Sequence, residues 1–288
     1  MKRNYLKRCT DEQITQSIKS SNSASEAIMK LGYDASERPK IKKFAVENSI
    51  DISHFSRINQ RTYALNENFF ENLDEVSVYW LGFIMADGNV RSTNYENALK
   101  IKLSVKDELH LVSFYKDISY NGKLNYFKAS EITSKGKTYK TCETVLAQIS
   151  SKKLTHNLIS LGCMPNKTVV GCQISDKIPQ HLLRHFLRGY FDGDGSVVVD
   201  KQERKGKVYK AQLSVFLLGD FNFLSQVKTL MINELGLNDV IISKRKGIFC
   251  IKWAGNKQCK KIYDWLYIDS LRFLPRKKLK FDEVFTLL

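Results

Sequence analysis

The chain has 288 residues, of which 43% are hydrophobic and 26% are charged, so it can bury a core and is not composed like a disordered protein. Lysine and arginine number 46 against 30 acidic residues, and the net charge of +16 favours a polyanionic partner. No apolar run approaches the roughly 20 residues that span a bilayer and no apolar signal core opens the chain, so we expect an intracellular protein (in the cytoplasm, an organelle matrix or a phage-infected cell) that is not secreted.

Residues 1–60 are predicted to form a small helical module. Thr10 can cap a first helix, Ser23 can cap a second helix over Ala24–Leu31, and a third helix is expected over Arg38–Asn48. Three short helices in this order suggest a helix-turn-helix fold whose third helix could enter a DNA major groove, although a generic helical cap remains the alternative. The basic residues expected on this third helix are Lys40, Lys42 and Lys43.

The rest of the chain divides into two similar halves, residues 70–165 and 175–288. Each half has a long helix, an alternating apolar and polar stretch typical of a half-buried strand, a second helix, a strand-rich region and a third helix. The sequence therefore predicts an α+β protein built from two pseudo-symmetric α-β-β-α-β-β-α repeats with antiparallel sheets, preceded by the small helical module.

A nonapeptide ends the first helix of each half: WLGFIMADG at Trp80–Gly88 and LRGYFDGDG at Leu187–Gly195. Gly82 and Gly189 are each followed four positions later by another small residue, which lies on the same helical face. Two helices can approach closely along such faces. We therefore predict that Gly82 and Gly189 lie at a helix–helix interface, and that the glycine ending each motif adopts the left-handed conformation that stops a helix.

Asp87 and Asp194 precede those final glycines, and they are separated by the same number of residues as Gly82 and Gly189. A carboxylate at a helix C-terminus faces the negative end of the helix dipole, and two adjacent carboxylates repel each other. An Asp that merely caps a turn is the alternative for one motif, but a duplicated unfavourable pattern indicates a functional site. A hard divalent cation such as Mg²⁺ would relieve the repulsion.

The two nonapeptides resemble the paired motifs of the LAGLIDADG homing endonucleases in their single-chain form, over about residues 70–288. Met85 replaces the acid that is frequent at the sixth motif position, whereas Asp192 retains it. The resemblance implies that the motif helices form the interface between the halves and that saddle-shaped sheets lie in the DNA major groove. It also implies a Mg²⁺-dependent endonuclease that cuts double-stranded DNA at a long asymmetric site and leaves short 3′ overhangs.

By the same resemblance, Asp87 and Asp194 bind the metal, with the backbone carbonyls of Ala86 and Gly193 as additional ligands. Mn²⁺ is expected to substitute for Mg²⁺, and Ca²⁺ to support binding without cleavage. Lys152 and Lys257 occupy matching places at the start of the third helix of each half. We expect them to complete the catalytic groups, although phosphate-contacting or solvated lysines are the alternative.

Specificity should come from basic side chains of the sheets, but the sequence does not separate contacts to bases from contacts to phosphates. The expected DNA-facing residues are Arg91, Lys100, Lys102, Lys123, Lys128, Lys201, Arg204, Lys207, Lys210, Lys244 and Arg245. The duplication within one chain predicts a monomer. The N-terminal module also contains SSNSASEAIMKLGY (residues 20–33) and SIDISHF (residues 49–55). In these segments it resembles a small module found in front of some phage and other mobile endonucleases, where it would add a second DNA contact.

Two other functions on this fold compete with DNA cleavage. The first is a maturase that binds group I intron RNA, and the second is a DNA-binding regulator that has lost nuclease chemistry. Intact acids at Asp87 and Asp194 favour cleavage over both. The pair His181 and His185 has the i, i+4 spacing of some metal ligands but lacks the glutamate of zinc proteases, so a surface or interface role is expected.

Overall fold

The computed structural model describes residues 6, 8–56, 63–93, 96–134, 136–204 and 207–286. By its internal contacts the chain divides into two compact units, Met1–Tyr63 and Ala64–Leu288. None of the helices in these described residues combines the length and the apolar character that crossing a bilayer requires.

The N-terminal unit contains three short helices around a small apolar core. They are α1 (Asp11–Lys19), α2 (Ala24–Lys30) and α3 (Arg38–Glu47). Thr10 caps α1 through a reciprocal pair of hydrogen bonds with Gln13, and Ser23 caps α2, so the polar residues before each helix satisfy its free N–H groups. Ile14, Ile28 and Phe44 are among the buried residues that join the helices. The helix-turn-helix assignment of this unit stays a prediction.

The second unit contains two antiparallel four-stranded sheets with helices, and the two halves repeat the same order of elements apart from two extra strands in the first half. The first half comprises α4 (Glu75–Asp87), β1 (Gly88–Ser92), β2 (Asn97–Ser104), α5 (Glu108–Asp117), β3 (Asn125–Phe127), β4 (Glu131–Ser134), β5 (Lys137–Lys140), β6 (Thr144–Ser150), α6 (Lys152–Ser160) and α7 (Lys167–Val170). The second half comprises α8 (Leu183–Asp194), β7 (Gly195–Arg204), β8 (Lys207–Gly219), α9 (Phe221–Leu235), β9 (Ser243–Arg245), β10 (Ile248–Ala254), α10 (Asn256–Tyr267) and α11 (Pro275–Phe285).

The two sheets have equivalent strand orders, β1-β2-β6-β3 and β7-β8-β10-β9. In β2, the side chains of Leu99, Ile101 and Leu103 are buried, while Lys100 and Lys102 point to the other face. This alternation places one face of each sheet on the core and leaves the other open. The predicted α+β fold with two pseudo-symmetric repeats is therefore confirmed. The exact repeat boundaries stay predictions.

Helices α4 and α8 pack against each other at their glycines. A Cβ added to Gly82 would lie 2.0 Å from the carbonyl oxygen of Phe186, and one added to Gly189 would lie 1.9 Å from that of Tyr79. Such distances are far below van der Waals contact, so the two backbones approach closely only because neither position has a side chain.

The glycines that follow the two acids were predicted to be left-handed, and that prediction is wrong. Gly88 has φ −79° and ψ 155°, and Gly195 has φ −81° and ψ 162°, so each enters its strand directly in an extended conformation. Glycine is needed there for space, because an added Cβ would lie 2.6 Å from the Ile84 carbonyl oxygen or 2.2 Å from the Phe191 ring. The helix-to-strand junction is thus too tight for a side chain.

Two further elements differ from the sequence prediction. The region between α5 and α6 contains a separate two-stranded sheet of β4 and β5, in addition to the strands that join the main sheet. Helix α11 was not predicted, because its run of basic residues has little apolar periodicity. Pro275 begins α11, and Phe281 and Val284 bury its apolar side.

Candidate active site

The acids of the two motifs lie at the crossing of α4 and α8. Asp87 ends α4 and keeps access to solvent, and Asp194 ends α8 and is half-buried. A Cβ added to Gly193 would lie 2.4 Å from Cβ of Ala86 and 3.4 Å from Oδ2 of Asp87. The first acid therefore lies against the last turn of the opposite helix. Asp194 also lines a cavity of ≈ 300 Å³ together with Lys167 and Tyr190.

Two lysines bind the free carbonyl groups that end these helices. The Nζ of Lys167 donates to the carbonyl oxygens of Ile84 at 3.4 Å and Met85 at 2.7 Å, and also to that of Ala86. The last carbonyls of a helix have no partner within the helix and carry its negative dipole end. A lysine at this point satisfies them and supplies positive charge beside the carboxylate.

Lys277 makes the equivalent contacts at the end of α8. Its Nζ donates to the carbonyl oxygens of Phe191 and Gly193, both at 3.2 Å, and also to that of Gly195. Its side chain is buried. Each motif helix therefore ends in the same group, one aspartate carboxylate and one lysine ammonium.

These groups perturb one another's protonation. Desolvation by the surrounding protein raises the pKa of both Asp87 and Asp194, and the Asp87 charge raises that of Asp194 further, while Lys167 and Lys277 act in the opposite direction on both acids. Burial lowers the pKa of Lys277 to about 8 and also lowers that of Lys167. Carboxyl groups with raised pKa values next to ammonium groups with lowered ones are typical of a functional site.

Neither Lys167 nor Lys277 was singled out from the sequence, although a repeated pattern marks them. Each follows a proline by two positions, in Met164-Pro165-Asn166-Lys167 and in Leu274-Pro275-Arg276-Lys277. Both segments come after the third helix of their half, so they extend the internal duplication by one element.

The structure does not bring Lys152 and Lys257 to the acids. Both are exposed at the start of α6 and α10. The preceding residues are bound to β2 and β8: Ser151 N donates to Asn97 O, and Gly255 N donates to Leu213 O. The strand positions opposite the two Asp–Gly junctions are Ile101 and Leu217. Ile101 lies four residues after Asn97, and Leu217 lies four residues after Leu213. Four residues correspond to about 13 Å along a strand.

The sixth positions of the two motifs differ in chemistry and in role. Asp192 is fully buried and accepts hydrogen bonds from Tyr79 Oη at 2.8 Å, Tyr267 Oη at 2.7 Å and Leu274 N at 2.7 Å. It thus ties α8 to α4 and to the segment that carries Lys277. Burial raises the pKa of Asp192 to about 6 despite these donors. Its counterpart Met85 is buried in an apolar environment.

Replacing Asp192 by alanine should destabilise the protein strongly. The substitution removes the acceptor of the buried Tyr267 hydroxyl and Leu274 N–H, and leaves the Tyr79 hydroxyl with His110 Nε2 as its other partner. We therefore expect a loss of about 3 to 5 kcal/mol and a fall in melting temperature of about 10 °C. Thermal unfolding followed by circular dichroism measures this. Asp200→Ala, the same change at an exposed site, is the control, and equal melting temperatures for the two variants would contradict the role given to Asp192.

The open sheet faces carry many of the basic residues predicted to face DNA. Arg91 and Lys100 both pair with Glu96, at 2.9 and 2.8 Å, and Lys201 lies 3.8 Å from Glu283. Exposed basic residues, at sheet edges or in loops, are Lys123, Lys128, Lys244 and Arg245. Lys252 on β10 was not predicted and lies on the open face of the second sheet. The side chains of Arg204, Lys207 and Lys210 lie outside the described part of the structure.

The basic residues of α3 lie in the N-terminal unit. Lys40 pairs with Glu37, and Lys43 lies 4.0 Å from Glu47. Lys42 is exposed. A DNA-binding role for this helix stays a prediction.

The acid pair suits a divalent metal ion. Within the described ranges, no group of three or more His, Cys, Asp and Glu side chains has the geometry to hold a metal ion. Mg²⁺ is commonly held by only one or two protein carboxylates, with water and substrate phosphates as its other ligands. Asp87 and Asp194 offer such a donor set beside open space, and the mutual repulsion of their charges favours a bound cation. Their assignment as metal ligands stays a prediction.

The chain has one family match and several similar solved structures. Residues 181–258, which include α8 and the whole second sheet, match the family model described as a LAGLIDADG-like domain. No curated protein matches the chain. A solved structure similar to the chain is the LAGLIDADG meganuclease I-AabMI bound to uncleaved DNA, at 17% identity and a TM-score of 0.48, with 75% of this chain and 90% of that chain covered.

A second similar structure is the homing endonuclease I-WcaI bound to its DNA recognition sequence, at 16% identity and a TM-score of 0.48, with 75% of this chain and 91% of that chain covered. A third is the LAGLIDADG homing endonuclease I-LtrWI bound to target DNA, at 12% identity and a TM-score of 0.45, with 77% and 90% covered. The family match itself rests on residues 181–258, where the second motif helix leads into its sheet. Residues 181–258 are thus similar to a LAGLIDADG-like domain, in agreement with the resemblance drawn from the paired motifs.

Proposed function

We propose that the protein is a site-specific DNA endonuclease that hydrolyses both strands of a long, asymmetric site. The observation that carries this proposal is the pair of equivalent groups at the α4–α8 crossing, where Asp87 with Lys167 and Asp194 with Lys277 end the two motif helices. Two such groups in one chain suit two scissile phosphates, one on each strand. The two open sheet faces with their basic side chains supply a surface for a duplex.

A divalent ion, Mg²⁺ or in its place Mn²⁺, would supply an activated water and offset the charge at the scissile phosphate when bound. Asp87 and Asp194 would hold it through their carboxylate oxygens. Hydrolysis adds the water oxygen to phosphorus and breaks the bond to the 3′ oxygen, so the products carry a 5′ phosphate and a 3′ hydroxyl. Short 3′ overhangs and binding without cleavage in Ca²⁺ belong to the same proposal.

Lys167 and Lys277 would act on the phosphate and on the attacking water. An ammonium beside the carboxylate stabilises negative charge that develops on the phosphate oxygens. Burial lowers the pKa of Lys277 to about 8, which favours proton exchange between its Nζ and the water. These two lysines take the catalytic place that the sequence had suggested for Lys152 and Lys257.

The carbonyls of Ala86 and Gly193, predicted as metal ligands, accept hydrogen bonds from Lys167 and Lys277. An ammonium and a divalent cation on the same carbonyl oxygen repel each other. A metal ion at these carbonyls would therefore require the lysine to shift or to lose its proton.

The test is cleavage of a library of randomised duplexes by the full chain in Mg²⁺, followed by sequencing of the cut ends. We expect one or a few long, non-palindromic sites with 3′ overhangs, cut by a monomer. The double variant Asp87→Asn, Asp194→Asn is the control and should release no cut ends. A wild-type chain that binds duplex DNA or a structured group I intron RNA without cutting either would contradict the proposal and favour the regulator or the maturase.

A further inference from the structure

The basic residues on the open sheet faces fall into two groups. Arg91, Lys100 and Lys201 each pair with a carboxylate. In the described part of the chain, no ion pair involves Arg245 or Lys252, and both instead lie over an aromatic ring. The two groups therefore differ in what holds the cation before any partner binds.

The ring in the second sheet is Phe216, on the outward face of β8. It is directly opposite Lys252 on the neighbouring strand β10, and it is flanked on its other side by Ser196 of β7. The Nζ of Lys252 lies 5.1 Å from the ring centroid and the Cζ of Arg245 lies 5.7 Å from it. Both distances are within the range of a favourable cation–π contact.

Phe216 is only partly buried, although it is a large apolar side chain on an open and basic face. Val215 and Leu217, the residues before and after it in β8, point to the core side of the sheet and are buried. The ring thus lies on the face away from the core, where it contacts the two cations. The first sheet has a similar arrangement, with Lys102 Nζ 4.8 Å from the centroid of Phe127, which is 45% exposed.

A ring under a cation limits the directions that the long side chain can take. A guanidinium that lies over an aromatic ring keeps the N–H groups at its edge free, and these match the O6 and N7 acceptors of guanine in the major groove. A side chain that contacts only a phosphate has no need of such restraint, because the phosphate accepts hydrogen bonds from many directions. The geometry therefore separates cations suited to base edges from those suited to the backbone.

Building on the proposed DNA-binding function, we propose that Phe216 is a specificity-determining positioning residue, whose ring holds Arg245 and Lys252 to contact guanine in the half-site bound by the second sheet. Phe216 acts through these two side chains and contributes no charge of its own. Its removal should alter which sequences are bound but should leave non-specific electrostatic binding unchanged.

The test is selection of bound duplexes from a randomised library in Ca²⁺ by wild type, Phe216→Leu, Phe216→Tyr and Arg245→Ala. Leucine keeps the apolar volume and removes the ring, and tyrosine restores the ring. We expect wild type to prefer guanine at one or two base pairs of one half-site by roughly tenfold or more. Phe216→Leu should lose most of this preference, Phe216→Tyr should retain it, and Arg245→Ala should lose it at one of the same base pairs.

A second measurement separates base contacts from phosphate contacts. The salt dependence of binding to a non-specific duplex should be the same for Phe216→Leu and wild type, since the number of charges is unchanged. If Arg245→Ala weakens binding equally for all sequences and lowers the salt slope by about one, Arg245 contacts a phosphate and the proposal is overturned.

Three outcomes of the selection are distinguishable. Loss of guanine preference in Phe216→Leu with recovery in Phe216→Tyr supports the inference. A selective wild type whose preference survives Phe216→Leu overturns the inference and leaves the endonuclease proposal standing. A wild type that enriches no sequence overturns the proposed function, and with it this role of Phe216.

Discussion

Gly189→Ala is expected to lower the free energy of unfolding by about 3 to 5 kcal/mol, which is large for the addition of one methyl group. The added Cβ would lie 1.9 Å from the carbonyl oxygen of Tyr79 and 2.8 Å from the amide nitrogen of Phe83. Both atoms belong to the backbone of α4 and cannot turn away, so the two motif helices must separate. Chemical denaturation followed by circular dichroism measures the loss.

The matched control is Gly247→Ala, which adds the same methyl group in open space. Gly247 has φ +80°, and nothing lies within 4 Å of the position that an added Cβ would take, so only the strain of a left-handed residue applies, about 1 kcal/mol. Equal losses for the two variants would contradict the close helix approach. Any folded Gly189→Ala protein should also cleave poorly, because a displacement of about 1 Å at a reacting group can cost a hundredfold in rate.

Lys167→Met and Lys277→Met are each expected to reduce double-strand cleavage by about a hundredfold to a thousandfold. Methionine retains most of the side-chain volume and removes the ammonium that lies beside the acids and the helix-end carbonyls. Loss of one charge-stabilising or proton-transferring group has effects of this size in other enzymes. The measurement is the single-turnover rate on the duplex recovered from the library, with melting temperature recorded for each variant.

Lys152→Met and Lys257→Met are the matched controls for these variants. Each removes an ammonium from an exposed residue. The backbone just before that residue is bound to its strand about 13 Å from the strand position opposite the Asp–Gly junction. We expect both to cleave within about threefold of wild type at low salt, where one lost phosphate contact has a limited effect. Strong loss in these two variants together with activity in Lys167→Met and Lys277→Met would reverse the assignment.

The parts of the structure that follow from local pattern were predictable. The small residues at Gly82 and Gly189 predicted the helix interface, and the alternation from Leu99 to Leu103 predicted which face of the first sheet is buried. The duplication itself could also be predicted from the sequence, because the two motifs repeat residue types as well as spacing.

The parts that depend on contacts between distant segments were not predictable in the same way. Lys167 binds backbone carbonyls some 80 residues earlier in the chain, and nothing in its local sequence specifies that contact. The sequence indicates this lysine only through the repeated Pro-x-Lys pattern, which is short. Gly88 is extended and leaves no room for a Cβ beside the Ile84 carbonyl. The Asp–Gly sequence alone does not distinguish this tight junction from a left-handed helix stop.

The most direct measurement of the central claim is strand-resolved cleavage of the recovered duplex, with each strand labelled separately, by wild type, Asp87→Asn and Asp194→Asn. The carboxylates are placed as a pair at one helix crossing, so we predict that each single variant loses double-strand cutting while it binds the duplex in Ca²⁺ as tightly as wild type. Double-strand cutting at the wild-type rate by either variant would contradict a paired active site built on Asp87 and Asp194.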